Sequence, residues 1–395
     1  MTDAPLPTVR LKPKAHLRSL RGHPWVYSNE VEMDATAKAL PRGTLVQVVS
    51  AEGRTVDHGW FNPSTLIAVR RLEVGEPAPG EGFFRERLEQ AAALRGRFFE
   101  EPWWRWIHAE ADGLPGLVID RFGPVAVLQA NSAGADRATD RIAQAITALA
   151  PEITTVIARN DTGARALEGL EPEVRVLAGE CDGPIEVREN GAVYYADPRE
   201  GQKTGWFYDH RANRRLIREA AKGGAVLDLY GYAGAFAVQA ALGGAERVIS
   251  VDRSERALEL AARAAVKNGV DGRIAFERAD VFQVLEAAEP ASFDLVIADP
   301  PAFAKSRKDL PQALKGYRKL ARLAARAAKP GGLLFIASCS HAVDAASFQA
   351  ETARGVHEAG RRGKIVARGQ ADRDHPEHPH LPESGYLKSL LFALM

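Results

Sequence analysis

A chain of 395 residues has room for two or three domains. With 46% hydrophobic and 26% charged residues it has an ordinary globular balance, which excludes wholesale disorder and collagen-like repeats. Lysine plus arginine number 52 and aspartate plus glutamate 51, so any surface for a polyanion must come from where the charges sit rather than from the net +1. Two cysteines in so long a chain are too few for a disulfide framework and point to a reducing, cytoplasmic setting. Residues 1–13 carry no apolar core of the kind a signal peptide needs, and no run approaches the ~18 apolar residues of a membrane span, so no membrane partner is expected.

In chain order, residues 44–50 and 65–71 are β-branched runs, with turn chemistry at Gly53-Arg54 and Asn62-Pro63. They predict a small β-barrel. Ahead of them Arg10, Lys12, Lys14, Arg18 and Arg21 face a single acid, Asp3. Residues 73–82, with Pro77 and Pro79 among glycines, read as a linker. An amphipathic helix over 83–99 opens a middle section. Strands are expected there at 117–122, 125–131, 154–159 and 174–178, with a helix over 136–149, which makes an α+β unit. From residue 191 onward strands alternate with helices. The strands are 225–229, 247–252, 273–280, 293–299 and 332–338, and the helices include 254–268 and 310–328. The fold class is therefore α/β, with a parallel, doubly wound C-terminal sheet. The expected division is 1–75, 76–190 and 191–395.

In such a sheet ligands lie at the carboxyl ends of the strands. The first strand ends in Asp228-Leu229-Tyr230-Gly231-Tyr232-Ala233-Gly234 and runs into a helix. A dinucleotide fingerprint needs three glycines. Only Gly231 and Gly234 are present, and the adjoining acid would repel a phosphate. An acid beside a glycine turn suits a cationic or zwitterionic ligand, and S-adenosylmethionine (SAM) fits. Asp252 ends the second strand and can accept from ribose hydroxyls, although with Ser254 it could equally cap the next helix. Asp280 ends the third strand and can accept from the adenine amine, with Val281 beside the ring. The residues expected around the cofactor are Asp228, Tyr230, Gly231, Gly234, Asp252, Arg253, Asp280, Val281 and Asp299. NAD is the alternative.

The fourth strand ends in Asp299-Pro300-Pro301-Ala302-Phe303, a rigid tip where a planar heterocycle can be gripped by Asp299 and stacked on Phe303. The bland alternative is a turn with a buried phenylalanine. The fifth ends in Ser338-Cys339-Ser340-His341, which places a thiol at a strand tip across from Asp299. Cysteines are often inert and buried, and Cys181 is read that way. Carbon 5 of a pyrimidine is a poor nucleophile until a thiolate adds at carbon 6, so Cys339 is read as that nucleophile and Asp299 as the group aiding addition at N3. His341 is a candidate base for the last step. No metal site is expected.

These residues resemble a known family, the class I SAM-dependent large-subunit ribosomal RNA cytosine-C5 methyltransferases of the RlmI type. The resemblance spans essentially the whole chain. It rests on residues 20–27 (Leu-Arg-Gly-His-Pro-Trp-Val-Tyr), Gly205-Trp-Phe-Tyr-Asp-His-Arg211, Asp299-Pro-Pro-Ala-Phe303, Ser338-Cys-Ser340, Ala371-Asp-Arg-Asp-His-Pro376 and Gly385-Tyr-Leu-Lys388. It implies a PUA domain, a middle α+β domain, a Rossmann-like catalytic domain, and Cys339 as nucleophile. The chain departs from the pattern at Ala302, where lysine often follows Asp-Pro-Pro, with Lys305 shortly after. The implied partner is ribosomal RNA of the large subunit (23S), and a homodimer is left open.

Lys315, Arg318, Lys319 and Arg322 fall on one helical face, and Arg211, Arg214, Arg215 and Arg218 repeat the spacing. Either face could simply be solvated; beside a base pocket they are candidate phosphate contacts. Pro300, Phe303, Lys305 and Arg211 are the expected substrate-binding residues. Two other functions stay open: methylation of an exocyclic amine, with Cys339 incidental, and a non-catalytic RNA-binding assembly factor.

Overall fold

The computed structural model describes residues 5–74, 79–304 and 306–395; part of the expected linker and Lys305 lie outside the described residues. The chain divides into two compact units. One comprises Met1–Gly183, Asp197–Trp206 and Arg373–Ser384, the other Pro184–Ala196, Phe207–Asp372 and Gly385–Met395.

The first unit holds two five-stranded sheets. In the first sheet the spatial order is Thr8–Arg10, Thr44–Val49, Thr55–Phe61, Ile67–Val74, Trp25–Tyr27. Alternation along Thr44–Val49 sends Val46 and Val48 inward. They meet Val9, Val26, Phe61 and Val69 in one core. The second sheet runs Glu173–Ala178, Thr155–Asn160, Val125–Ala130, Leu117–Phe122, Trp103–His108. Its helices are Phe83–Arg95 and Thr139–Leu149. The strand Trp103–His108 was not expected from the sequence. The helix expected over 136–149 is two helices, Ala133–Arg137 and Thr139–Leu149. A Cβ on Gly134 would sit 2.0 Å from Trp60 Cγ, so only glycine lets that helix start close on the ring.

The second unit opens with a hairpin, Ile185–Glu189 and Ala192–Ala196. Its turn is Asn190-Gly191, with φ of 51° and 71°. Both values suit the twist of adjoining strands and an Asn-Gly pair. Beyond it lies a seven-stranded sheet. Its strands in chain order are Ala225–Leu229, Arg247–Asp252, Ile274–Arg278, Phe293–Ala298, Ala328–Ser338, Gly363–Gly369 and Lys388–Leu394. Numbered one to seven, they lie in the spatial order 3-2-1-4-5-7-6. The first five pair in parallel, and the seventh runs antiparallel between the fifth and the sixth. The parallel, doubly wound expectation holds, and two further strands extend it. Strands one and four reverse the winding direction and leave a crevice at their carboxyl ends. Register pairs Leu229 with Ala298 and Ala298 with Ile336. The tips carrying Asp228, Asp299 and Cys339 are therefore neighbours on adjacent strands spaced about 4.8 Å apart. Leu227, Val296, Leu334, Ile336 and Tyr317 fill the core beneath.

Candidate active site

Asp228 is fully buried in the first strand. Its Oδ2 accepts from the Ser250 hydroxyl at 2.9 Å, and its Oδ1 has no hydrogen-bond partner. Burial, followed by the nearby Asp299 and Asp252 carboxylates, pushes its carboxyl up to about 7 against the pull of the Ser250 hydroxyl. The chain then turns through Tyr230 and Tyr232 at φ of 63° and 45°, and Gly234 at 75° begins the helix Ala235–Gly243. Left-handed backbone at two tyrosines is costly and marks a turn held by its surroundings. A Cβ on Gly231 would fall 2.1 Å from Ser250 Oγ, so this position admits glycine only.

Asp252 is half-buried and spends both oxygens on backbone: Oδ2 accepts from Tyr232 N at 2.9 Å and Oδ1 from Ser254 N at 2.8 Å. Ser254 caps the following helix, so this acid's helix-cap role and the shaping of the glycine turn occur together. The third strand stops at Arg278. Asp280 lies past it as the cap of Val281–Ala287, with Val281 buried behind. The Gln283 amide and the Arg253 guanidinium hold the Asp280 carboxyl below its usual range. Arg253 is exposed and ion-paired to Asp280. Tyr230 is half-buried, and burial together with the Asp280 charge pushes its phenol up.

These groups fit SAM. A buried carboxyl with an unmet acceptor, raised by two neighbouring carboxylates, gains from a cation placed beside it. Backbone strained into a glycine-bordered turn lets that ligand approach. When bound, SAM supplies an electrophilic methyl group.

At the fourth strand tip Asp299 is partly exposed, and His210 Nε2 lies 3.2 Å from its Oδ2. His210 is buried, its Nδ1 is 3.1 Å from Asn213 Nδ2, and its ring meets Phe236 edge-on. Because the Asn213 amide nitrogen can only donate, Nδ1 accepts and the ring proton sits on Nε2, facing Asp299. Asn213 Oδ1 in turn accepts from Ser389 of the last strand at 2.9 Å. The sequence reading missed His210. The signal was its place in Gly205–Arg211, a motif on which the resemblance rests but within which His210 was given no role. Pro300 is buried; Phe303 is half-buried, its ring 4.7 Å from Tyr317.

Cys339 is a half-buried thiol directly beyond the fifth strand. Ser338 and Ser340 on either side are buried and bonded to the Tyr317 hydroxyl at 2.8 and 3.2 Å. Lys388 donates to the carbonyls of Ser340 at 2.7 Å and Val343 at 2.5 Å. Burial lowers the Lys388 ammonium, and the Cys339 charge opposes that. His341 is exposed and stacks on Tyr386 at 5.1 Å. Cys181 is buried, as read from the sequence.

The basic helical faces need correction. Arg211 is buried over the Tyr208 ring, within 4.0 Å of Asp372, and Arg214 is buried with Nη1 2.7 Å from Glu189 Oε1. Both are absorbed by the packing of their own unit, so Arg211 is not presented to a substrate. On the second face Arg318 pairs with Glu351 and Lys319 with Glu286, which leaves Lys315 and Arg322 as its exposed cations without an ion pair among the described residues.

Comparison with known proteins agrees with this arrangement. Residues 165–393 match the family model of S-adenosylmethionine-dependent methyltransferases, and residues 9–73 match a PUA-like domain. The chain is 38% identical to the ribosomal RNA large subunit methyltransferase I of Alteromonas mediterranea, over 97% of this chain and 98% of that one. It is 35% identical to the protein of that name from Pseudoalteromonas atlantica, over 98% and 99%. A solved candidate SAM-dependent methyltransferase from Streptococcus mutans superposes with a TM-score of 0.81 at 20% identity, over 98% of this chain and all of that one, which shows a common fold. Among the described residues no helix is long and apolar enough to cross a membrane. The chain belongs to the S-adenosylmethionine-dependent methyltransferase family, as a member that carries an N-terminal PUA-like domain.

Proposed function

We propose that this enzyme methylates carbon 5 of a cytosine in large-subunit ribosomal RNA, through a covalent bond between Cys339 and carbon 6 of the base. The relatives named above carry the RNA part of this reading. The observation that favours the chemistry is a half-buried thiol at one strand tip, with a partly exposed carboxylate at the tip of the neighbouring strand and the glycine turn one strand further. In this reading Asp228, Tyr230, Gly231, Gly234, Asp252, Arg253, Asp280 and Val281 bound the cofactor pocket. Pro300 and Phe303 wall the base, and a base reached here must be unpaired or flipped out.

The thiolate of Cys339 adds to carbon 6, and the electron pair of the 5,6 double bond makes carbon 5 nucleophilic. Asp299, carrying a proton, donates it to N3 as the thiolate adds, so the negative charge is not left on the ring, and takes it back when the thiolate leaves. After carbon 5 has taken the methyl group, with S-adenosylhomocysteine as the leaving product, it gives up its proton to solvent water. The sulfur–carbon bond then breaks, which restores both the ring and the thiolate. The chain division read from the sequence, 1–75, 76–190 and 191–395, belongs to the same proposal, with RNA capture by the first part.

The test is incubation with methyl-labelled SAM and large-subunit ribosomal RNA from cells lacking the enzyme, followed by nucleoside mass analysis. 5-Methylcytidine is expected. N4-methylcytidine would move the chemistry to the exocyclic amine. No transferred label would leave a binding protein.

A further inference from the structure

We infer that Tyr317 is a positioning residue for Cys339, acting through the two serines that flank it; the inference rests on the reading of Cys339 as the nucleophile. Tyr317 is fully buried on the long helix Leu310–Ala327, which covers the fourth and fifth strands. Its hydroxyl accepts from Ser338 Oγ at 2.8 Å and reaches Ser340 Oγ at 3.2 Å. With its acceptor side met by Ser338, the phenol proton is the one available for Ser340. Two backbone amides complete the arrangement: Ser340 N donates to Ser338 Oγ at 3.3 Å and Ala304 N donates to Ser340 Oγ at 3.3 Å.

Followed atom by atom, the bonds close a ring around one residue. They run from the Ser340 amide to the Ser338 hydroxyl, on to the Tyr317 phenol, and back to the Ser340 hydroxyl. Cys339 lies between the two serines that this circuit joins. The hydroxyl groups of Ser338 and Ser340 are fully buried, so neither is placed to react with a base. Without the phenol the Ser338 hydroxyl loses the acceptor of its proton and Ser340 keeps only the Ala304 amide, and a buried hydroxyl proton left unpaired is costly. The tip is thereby fixed in one backbone course, which fixes where the thiol points. The Ala304 amide ties the loop after Asp299 to the same ring.

Tyr317 also meets Phe303, the proposed base platform. Its ring lies 4.7 Å from Phe303 at 35°, and Phe348 packs edge-on behind it at 5.1 Å. One side chain thus sets the height of the ring on which a base stacks and the course of the backbone that carries the thiol. A nucleophile displaced by about 1 Å can lose a hundredfold in rate. Burial pushes the Tyr317 phenol up, and a charge on Cys339 pushes it further the same way, in keeping with their closeness.

The test is Tyr317→Phe in the full-length protein, which keeps the ring and removes the hydroxyl. Three quantities are read: kcat and KM for RNA methylation, and the rate of Cys339 alkylation by iodoacetamide without RNA. The expected result is a kcat at least tenfold lower with KM within twofold. Alkylation should be several-fold faster, because the loosened tip frees the thiol to a small reagent while spoiling its aim. Ser338→Ala, which removes the donor to the phenol and leaves the ring stacking intact, should show the same pattern more weakly, and it serves if the tyrosine variant does not fold. In the double variant the serine change should add little, since the shared circuit is already open. Wild-type kcat in Tyr317→Phe, or alkylation falling in step with kcat, would overturn the inference. Alkylation needs neither RNA nor SAM, so a wild-type enzyme that makes no 5-methylcytidine would refute the proposed reaction, while unchanged alkylation in Tyr317→Phe would refute the role of the tyrosine.

Discussion

Asp228 links cofactor binding to a proton, and the size of the link can be worked out. Its carboxyl stands at about 7 without ligand, so about half the molecules carry the proton at pH 7. A cation about 4–5 Å away at an effective dielectric of ~20 favours the carboxylate by roughly 3–4 kcal/mol, or two to three pH units. Binding should then expel about half a proton at pH 7. Affinity for SAM should weaken about eightfold from pH 7.5 to pH 6. Titration calorimetry in buffers of different ionisation enthalpy reads both quantities. Asp228→Asn should abolish the proton release and cost about tenfold or more in affinity, since a charge-assisted bond contributes about 1.5–3 kcal/mol. Sign matters for stability as well. A folded-state value above the ordinary 3.8 means that the buried carboxylate weakens the fold as pH rises from about 4 to about 7. Asp228→Asn, free of that charge, should melt higher than the parent at pH 8. Flat affinity across this pH range, with no proton released, would refute the reasoning.

Other consequences can be checked together. Arg214→Met should destabilise the protein by about 3–5 kcal/mol, because it strands the buried Glu189 that now faces Nη1 at 2.7 Å. Denaturant titration would show it, whereas a phosphate-contact role would instead appear as weaker RNA binding at unchanged stability. Gly231→Ala places a Cβ 2.1 Å from Ser250 Oγ, so SAM binding measured by calorimetry should fall at least tenfold as the turn is pushed open.

Much of this was legible in the sequence for physical reasons. Five strands of the large sheet follow from apolar runs between long helices, and the acids at their ends follow from the rule that ligands sit at carboxyl tips. The last two strands were hidden. Gly363–Gly369 is an edge strand with exposed positions, and Lys388–Leu394 enters antiparallel, outside the β-α rhythm. Trp103–His108 escaped because its tryptophans and arginine break a simple polar–apolar alternation, yet four of its six side chains are buried. At the site, Asp228, Asp299 and Cys339 could be placed from strand ends alone. Arg211 could not, because helical spacing puts residues on one face without saying whether that face looks outward or, as here, toward Glu189 and Asp372. His210 and Tyr317 lie far along the chain from the residues they touch. Neither belongs to a strand tip, so only the folded chain brings them to it.

The most direct measurement is covalent trapping on RNA containing 5-fluorocytidine. Fluorine at carbon 5 cannot leave as a proton does, so an enzyme that has bonded carbon 6 and delivered its methyl group stays attached. With SAM present, the account predicts a denaturation-resistant protein–RNA band whose linked peptide contains Cys339, and no band for Cys339→Ala. Full methyl transfer by Cys339→Ala, or the absence of any adduct while the wild type makes 5-methylcytidine, would contradict it.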